Sequence, residues 1–120
     1  MKRPTNREID KRLQEEKEAL ENRQVAFANT SKVVGELMSL ERDEDEVWEL
    51  ILKLINEIRI KYYKGGYPPL KSYEPKIENH DLWAFSWYSS YLDLRMYLKF
   101  SVKNGYFYYV SLHECKSLKD

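Results

Sequence analysis

The spacing of hydrophobic residues changes along the chain, from a helical period in the first half to strand-like alternation in the second. One apolar stripe at helical spacing consists of Val47, Leu50, Ile51, Leu54, Ile55 and Ile58. Residues so spaced share one side of an α-helix. Asp43 and Glu46 have the spacing of a capping box ahead of the stripe, and Gly65-Gly66 ends the pattern. The stripe therefore predicts the strongest helix, lying across a sheet.

Two weaker helices are predicted before it. Thr5 and Glu8 form a T-x-x-E capping box, and the helix that follows runs to about Asn22 with a thin apolar face. A second, short helix begins at Thr30 or Ser31 and carries Val33, Val34, Leu37 and Met38. Residues 25–28 between them are interpreted either as a short edge strand or as an extended link.

Alternation of apolar and polar residues predicts strands over 82–88, 95–103 and 106–113, with a turn at Asn104-Gly105. Trp83, Phe85 and Trp87 alternate and are expected in the core, Trp87 with partial exposure. The chain is thus predicted to be one α+β domain over residues 1–120. Helices within about 5–64 would pack on a small antiparallel β-sheet from about 80–115.

The register of the last hairpin decides which side chains meet. A two-residue turn would set Lys99 opposite Val110 and Phe100 opposite Tyr109, which mixes apolar and polar faces. An extra loop residue, with Gly105 in a left-handed bulge position, avoids this, and a buried face specifies register strongly. We therefore predict a bulged loop that sets the apolar face of the middle strand against Tyr106, Tyr108, Val110 and Leu112. The opposite face then gathers Arg95, Tyr97, Lys99, Ser101, Tyr109, Ser111 and His113.

Charge is unevenly distributed, although the formal net charge of the 120 residues is zero. Residues 1–60 have a balance of −3 and residues 61–120 a balance of +3, and all ten tyrosines lie in the second half. Contact with a polyanion is therefore expected in the second half, although the zero total counts against a nucleic-acid partner.

Cysteine content and the lack of long apolar runs favour a cytoplasmic location. Cys115 is the one cysteine, which excludes an intrachain disulfide and a CxxC metal site and suits a reducing compartment. The first 23 residues have no apolar region of the kind a signal peptide needs, and no apolar run approaches the length that spans a bilayer. No membrane contact is expected.

The polar hairpin face offers one acid–base group and positive charge. Histidine is the side chain that titrates near neutral pH, and His113 is accompanied by the phenol of Tyr97 and the cations Arg95 and Lys99. Glu114 points to the other side, and one imidazole is a poor metal site. Positive charge with one proton-transfer group suits stabilisation of a phosphorane-like transition state without metal or cofactor.

RNA makes this set sufficient, because its own 2′-OH can attack the adjacent phosphate and leave a 2′,3′-cyclic phosphate and a 5′-OH. His113 would protonate the leaving 5′-oxygen or act as the base. Arg95 and Lys99 would hold the phosphate, and Tyr97 would stack on a base or bind the phosphate. Ser111 and Tyr109 are further candidate substrate contacts on that face.

Four segments resemble the MqsR family of RelE-like mRNA interferase toxins: Lys71-Ser72, then residues 80–83, 96–99 and 110–114. They span about residues 70–114. The resemblance implies a RelE-like fold, ribosome-independent cleavage of mRNA and neutralisation by a cognate antitoxin. The free chain is expected to be a monomer or a dimer. The family's cleavage residues would fall on Lys71, Ala84, Tyr97 and His113. Ala84 replaces a glutamine and His113 a lysine, which puts substrate preference and rate in question.

Two other functions remain open. One is a binding module on the same fold, an RNA binder or a toxin without activity, which Ala84 and the neutral charge favour. The other is a protein-interaction domain that uses the long helix and an aromatic surface. His80 is interpreted as a turn residue rather than a metal ligand. Cys115, with no paired base at helical or strand spacing, is not assigned as a nucleophile.

Overall fold

Three helices precede most of a four-stranded sheet in the computed structural model, which describes residues 3–115. The helices are α1 (Asn6–Glu21), α2 (Thr30–Leu40) and α3 (Glu44–Ile55). The strands are β1 (Val25–Phe27), β2 (Trp83–Ser89), β3 (Leu94–Lys103) and β4 (Tyr106–Glu114). The predicted α+β class, with N-terminal helices packed on a sheet built mainly by the second half, is confirmed.

The helix starts agree with the capping signals to within one residue. Thr5 Oγ1 accepts a hydrogen bond from Glu8 N at 3.1 Å at the start of α1. α2 is capped by Asn29, one residue before the predicted position, because its side chain accepts from the N–H of Lys32 at 3.2 Å. At α3 both halves of the capping box between Asp43 and Glu46 form.

Helix α3 ends at Ile55, well before Gly65-Gly66. Directly beyond it, the carboxylate of Glu57 binds both β2 and the turn that follows this strand, accepting from Trp87 Nε1 and from Tyr91 N at 2.9 Å each. Ile58 is still buried, with 4 % exposure, although it lies outside the helix. The apolar stripe therefore predicts burial correctly but overestimates the length of the helix.

The sheet has the order β1-β4-β3-β2. β2, β3 and β4 form an antiparallel meander, and β1 pairs with β4 in parallel, with Val25 opposite Phe107 and Phe27 opposite Tyr109. The sheet is consequently mixed rather than purely antiparallel. Of the two interpretations of residues 25–28, the edge strand is correct.

The hairpin between β3 and β4 closes with a two-residue turn, so the predicted extra residue at Gly105 is wrong. Asn104 and Gly105 have φ of 53° and 78°, the positive values that a type I′ turn needs, and Lys103 lies opposite Tyr106. The register shifts between Lys99 and Phe100 instead. Val110 is the extra residue, because Phe100 lies opposite Tyr109 and Lys99 opposite Ser111.

The two-residue turn reverses the predicted facing of the first half of β4, and the bulge at Val110 restores it beyond that residue. Phe107 and Tyr109 are buried in the core, with 0 % and 1 % exposure, while Tyr106 is 42 % exposed. The placement of Tyr106 and Tyr108 in the core is therefore wrong, and so is that of Tyr109 on the polar face. Beyond the bulge, Leu112 is buried and His113 exposed, as predicted.

The core lies between the sheet and the helices α1 and α3. Trp83, Phe85 and Trp87 of β2 line its inner face with Met96, Leu98 and Phe100 of β3. Trp87 is fully buried, with 1 % exposure, rather than partly exposed as predicted. The opposite side of the sheet, called here the outer face, is partly covered by the connection 63–82. None of the helices within residues 3–115 has the length and apolarity to span a membrane.

Candidate functional site

Tyr97 and His113 form a stacked pair on the outer face. They lie directly opposite each other on β3 and β4, with ring centroids 5.1 Å apart and ring planes inclined by 25°. Ser86 of β2 lies opposite Tyr97 on the other side. Three strands therefore place a hydroxyl, a phenol and an imidazole in one row. The prediction that Tyr97 and His113 share one face of the sheet is confirmed, although the predicted register did not pair them directly.

The imidazole of His113 is exposed, and its Nδ1 lies 3.1 Å from the backbone oxygen of Glu114. A carbonyl oxygen only accepts, so this hydrogen bond requires the proton on Nδ1. In the neutral ring Nε2 then carries a lone pair, which can take a proton from a substrate hydroxyl. The local backbone thus favours the tautomer that a general base needs.

Tyr97 is half-buried beneath this ring. Burial raises the pKa of the Tyr97 phenol above its usual value, and the nearby Cys115 thiol raises it further. The phenol therefore keeps its proton at neutral pH. It is equipped to donate a hydrogen bond to an anionic oxygen rather than to act as a base.

Arg95 and Lys99 flank Tyr97 at two-residue spacing on β3, so all three side chains leave the same face of the sheet. Their Cα atoms follow one another at steps of about 6.6 Å along an extended strand. Within residues 3–115, neither the Arg95 guanidinium nor the Lys99 ammonium forms an ion pair or side-chain hydrogen bond. Both charges are thus available to an anion.

Lys71 lies apart from the stacked pair, in the connection ahead of β2. Its Nζ is 2.5 Å from Asp81 Oδ1, and Arg3 contacts the other oxygen of Asp81 at 2.8 Å. Partial burial would raise the pKa of Asp81, but hydrogen bonds from Lys71 and Arg3 outweigh it and lower the pKa. The charge of Lys71 is therefore largely compensated by Asp81.

Ser111 and Tyr109 are both bound to Glu36 of α2. The carboxylate accepts from Tyr109 Oη at 2.5 Å, from Ser111 Oγ at 2.6 Å and from Leu112 N at 3.0 Å. These bonds hold α2 against the edge of β4 and occupy both hydroxyls. Glu36 is the only carboxylate among residues 30–40, a weak signal that sequence reasoning missed.

Cys115 lies two residues after His113, so both side chains leave the same face of the sheet. Its backbone N–H donates to Arg95 O at 2.8 Å. Its Sγ lies 3.8 Å from Ser86 Oγ. His113 therefore lies at strand spacing from Cys115, but the partner of the thiol within residues 3–115 is the hydroxyl of Ser86 and not the imidazole. Ala84, two residues before Ser86 on β2 and opposite Lys99, is buried with 4 % exposure, and its side chain has no polar group.

A groove of about 830 Å³ opens on the outer face at Lys99, two residues along β3 from Tyr97 of the stacked pair. The connection 63–82 forms one side of it, and Lys99 and Val110 of the sheet lie on the other. Asn29 and Lys32, at the start of α2, close its far end. In the part of the chain that the structure describes, no three His, Cys, Asp or Glu side chains converge as metal ligands.

Compared with protein-family models, curated proteins and solved structures, the chain matches none. Likeness to the MqsR family and to a RelE-like fold therefore stays a prediction from the four sequence segments. The geometry of the outer face is therefore the main structural indication of function.

Proposed function

We propose that the chain is a metal-independent endoribonuclease of the mRNA interferase type. The observation that carries this proposal is the stacked Tyr97–His113 pair, at 5.1 Å, flanked on β3 by two cations without partners among the described residues. A general base, a neutral hydrogen-bond donor and two fixed positive charges are what the 2′-OH reaction of RNA requires from a protein.

The reaction assigns one role to each group. His113 Nε2 takes the proton of the 2′-OH, whose oxygen attacks phosphorus while the bond to the 5′-oxygen breaks. The imidazolium so formed, or water, returns a proton to the leaving 5′-oxygen. The products are a 2′,3′-cyclic phosphate and a 5′-OH, with no net gain or loss of protons.

The cations and the phenol act on the phosphate. Negative charge grows on the non-bridging oxygens as the pentacoordinate transition state forms, and Arg95 and Lys99 are placed to compensate it. Because Tyr97 remains protonated, it can donate a hydrogen bond to the same oxygens. Lys71, paired with Asp81, would assist only if substrate displaced that carboxylate.

The toxin role, a cognate antitoxin as partner and a cytoplasmic location are part of the same proposal. They depend on the resemblance of four segments to the MqsR family and on the single cysteine. A gene for an antitoxin beside the gene for this chain, and growth arrest on expression that the antitoxin reverses, are the expected consequences.

A second candidate is an RNA-binding module without cleavage. The observation that favours it is Ala84, a buried apolar residue where the resembled family has a catalytic glutamine. Such a module would use the same cations and aromatic rings, but it would leave RNA intact.

Cleavage of a synthetic RNA in excess EDTA separates these candidates. We expect the wild-type chain to cut, and His113→Ala to lose activity by on the order of 100-fold or more, the usual contribution of a general base. Tyr97→Phe keeps the stacked ring but removes the donor, so a smaller loss is expected. His80→Ala is the matched control, since His80 lies on the connection next to Asp81 rather than in the row of outer-face residues.

Cutting that appears only when a divalent metal is added would contradict the proposed mechanism. So would a His113→Ala protein as active as His80→Ala. Tight RNA binding without cleavage, on free RNA and on translating ribosomes alike, would favour the binding module.

A further inference from the structure

The groove on the outer face has a volume typical of a site for a small ligand. Its volume of about 830 Å³ lies within the range of about 300–1,000 Å³ that such sites occupy. Tyr67, Leu70 and Tyr73 line the side formed by the connection, Lys99 lines the opposite side, and Lys32 lines the far end. The groove thus combines an aromatic and apolar wall with two cations.

Backbone hydrogen bonds anchor this wall to the rest of the fold. Leu82 N donates to Leu70 O at 2.8 Å, and Ser72 N donates to His80 O at 2.9 Å. Gly66 permits a tight turn at the groove, because a Cβ there would come within 2.6 Å of the oxygen of Pro68. The groove is therefore a formed feature of the fold and does not depend on an unattached loop.

Tyr67 is an aromatic ring held in place with much of its surface open. Its ring packs at 88° against Tyr63 with centroids 5.4 Å apart, and Tyr63 is itself anchored by its hydroxyl, which donates to Gly66 O at 2.7 Å. Tyr67 is nevertheless 59 % exposed, and Tyr73 is 95 % exposed. Rings held in advance of binding lose little entropy when a flat ligand stacks on them.

Charge at the groove favours an anionic ligand. No ion pair or side-chain hydrogen bond within residues 3–115 involves the ammonium groups of Lys32 and Lys99. Glu74 is the one carboxylate among the lining residues, while Asp81 compensates Lys71 from outside the lining. Aromatic rings interleaved with unpaired cations are the usual composition of surfaces that bind single-stranded nucleic acid.

We infer that this groove binds an unstacked base of the RNA strand, next to the phosphate that the Tyr97–His113 pair would cut. Tyr67 provides the stacking surface, and Lys99 reaches the backbone phosphate between the groove and the pair. The inference rests on the proposed function. It assigns to this groove the preference of the proposed nuclease for particular bases in the RNA. A base lying in the groove contacts side chains that can discriminate between bases, which the open stacked pair cannot do.

Continuity with the stacked pair favours RNA over an acidic peptide as the occupant. Lys99 belongs both to the groove and to the row of outer-face residues, two positions after Tyr97. One strand of RNA can follow this row from the pair into the groove. An acidic peptide would use the cations but would leave the open aromatic faces without a flat partner.

The test is binding of the full chain to a short, fully 2′-O-methylated RNA, which cannot be cut because its 2′-oxygens carry no proton. A fluorescent 2-aminopurine is placed at each position in turn. We expect strong quenching at one position and, for Tyr67→Ala, affinity weaker on the order of tenfold, the usual effect of losing one stacked base. Tyr67→Phe should retain both the affinity and the quenching.

Tyr91→Ala is the matched control, since Tyr91 is 52 % exposed but lies at the turn between β2 and β3, beside Lys53 of α3. Equal quenching at all positions, or Tyr67→Ala binding as tightly as Tyr91→Ala, would overturn the inference. So would a glutamate-rich peptide that binds through Tyr67 when the RNA does not. Cleavage without position-specific binding would refute this inference alone, and position-specific binding without cleavage would refute only the proposed chemistry.

Discussion

Glu16 is a buried acidic residue in an unfavourable environment. It lies on the buried side of α1 with 0 % exposure, and within the described residues neither carboxyl oxygen has a hydrogen-bond partner. Burial raises the pKa of Glu16 well above its usual value, so the folded chain holds this side chain as the neutral acid. An unpartnered buried acid destabilises the fold.

Glu16→Gln should raise the free energy of unfolding at pH 7. The unfolded wild-type chain releases the proton of Glu16 above a pKa of about 4.3, while the folded chain retains it, so stability falls as pH rises above that value. The amide has nearly the same shape and no proton to lose. Urea unfolding from pH 4 to pH 8 should show a gain that grows with pH.

Glu18→Gln is the control, because Glu18 is an exposed residue of the same helix. If Glu16→Gln changes stability no more than Glu18→Gln at pH 8, the neutral buried acid is not a property of the folded chain.

The sequence could place Tyr97 and His113 together because period-two alternation carries both residues to one face. It could not place Tyr109. Aromatic residues occupy every position from Tyr106 to Tyr109, so alternation there does not distinguish the buried face from the exposed one. From Trp83 to Trp87 the large residues of β2 occupy alternate positions, and the prediction that Trp83 and Phe85 are buried is confirmed.

At the scale of elements, the bulge in β4 allows apolar residues on both sides of Val110 to face the core. Leu112 follows Tyr109 by three positions, an odd offset that puts two side chains on opposite faces of a regular strand. Both residues can be buried on one face only because β4 has one extra residue between them. Val110 is that residue. Its displacement from the ladder keeps His113 opposite Tyr97 while Tyr109 stays in the core.

Deletion of Val110 should consequently be tolerated. Tyr109 and Leu112 would then obey a single alternation, with Phe100 opposite Tyr109 and Lys99 opposite Ser111 as before. We expect a thermal midpoint within a few degrees of wild type and retained cleavage by the pair. Deletion of Tyr108 is the matched control, since it would turn Tyr109 or Phe107 out of the core and lower the midpoint strongly. Equal losses in the two deletions would contradict this account of the bulge.

The way helix α2 is attached to the sheet could not be predicted from the spacing of its apolar residues. Val33 is its one fully buried residue, and Val34 and Met38 are 53 % and 75 % exposed. The helix is instead attached to β4 through Glu36, whose carboxylate accepts hydrogen bonds from three donors. Such an attachment depends on which residues meet across the fold, which the spacing of apolar residues does not encode.

At the scale of the whole molecule, the hydrophobic core and the candidate site lie on opposite faces of the sheet. α1 and α3 cover the inner face of the sheet, and the first half of the chain, which supplies them, has the acidic balance. The outer face has Arg95, Lys99 and Lys103 on β3, with the connection 63–82 along one side. A chain of zero net charge thereby presents a cationic surface to a polyanion.

The most direct test of the central claim is one comparison of two RNA strands in EDTA, identical except for a single 2′-deoxy substitution at the nucleotide before the mapped cut. We predict that the all-ribose strand is cut to a 2′,3′-cyclic phosphate and a 5′-OH, and that the substituted strand stays intact at that site. Cutting of the substituted strand there, or products with a 3′-OH and a 5′-phosphate, would contradict this prediction.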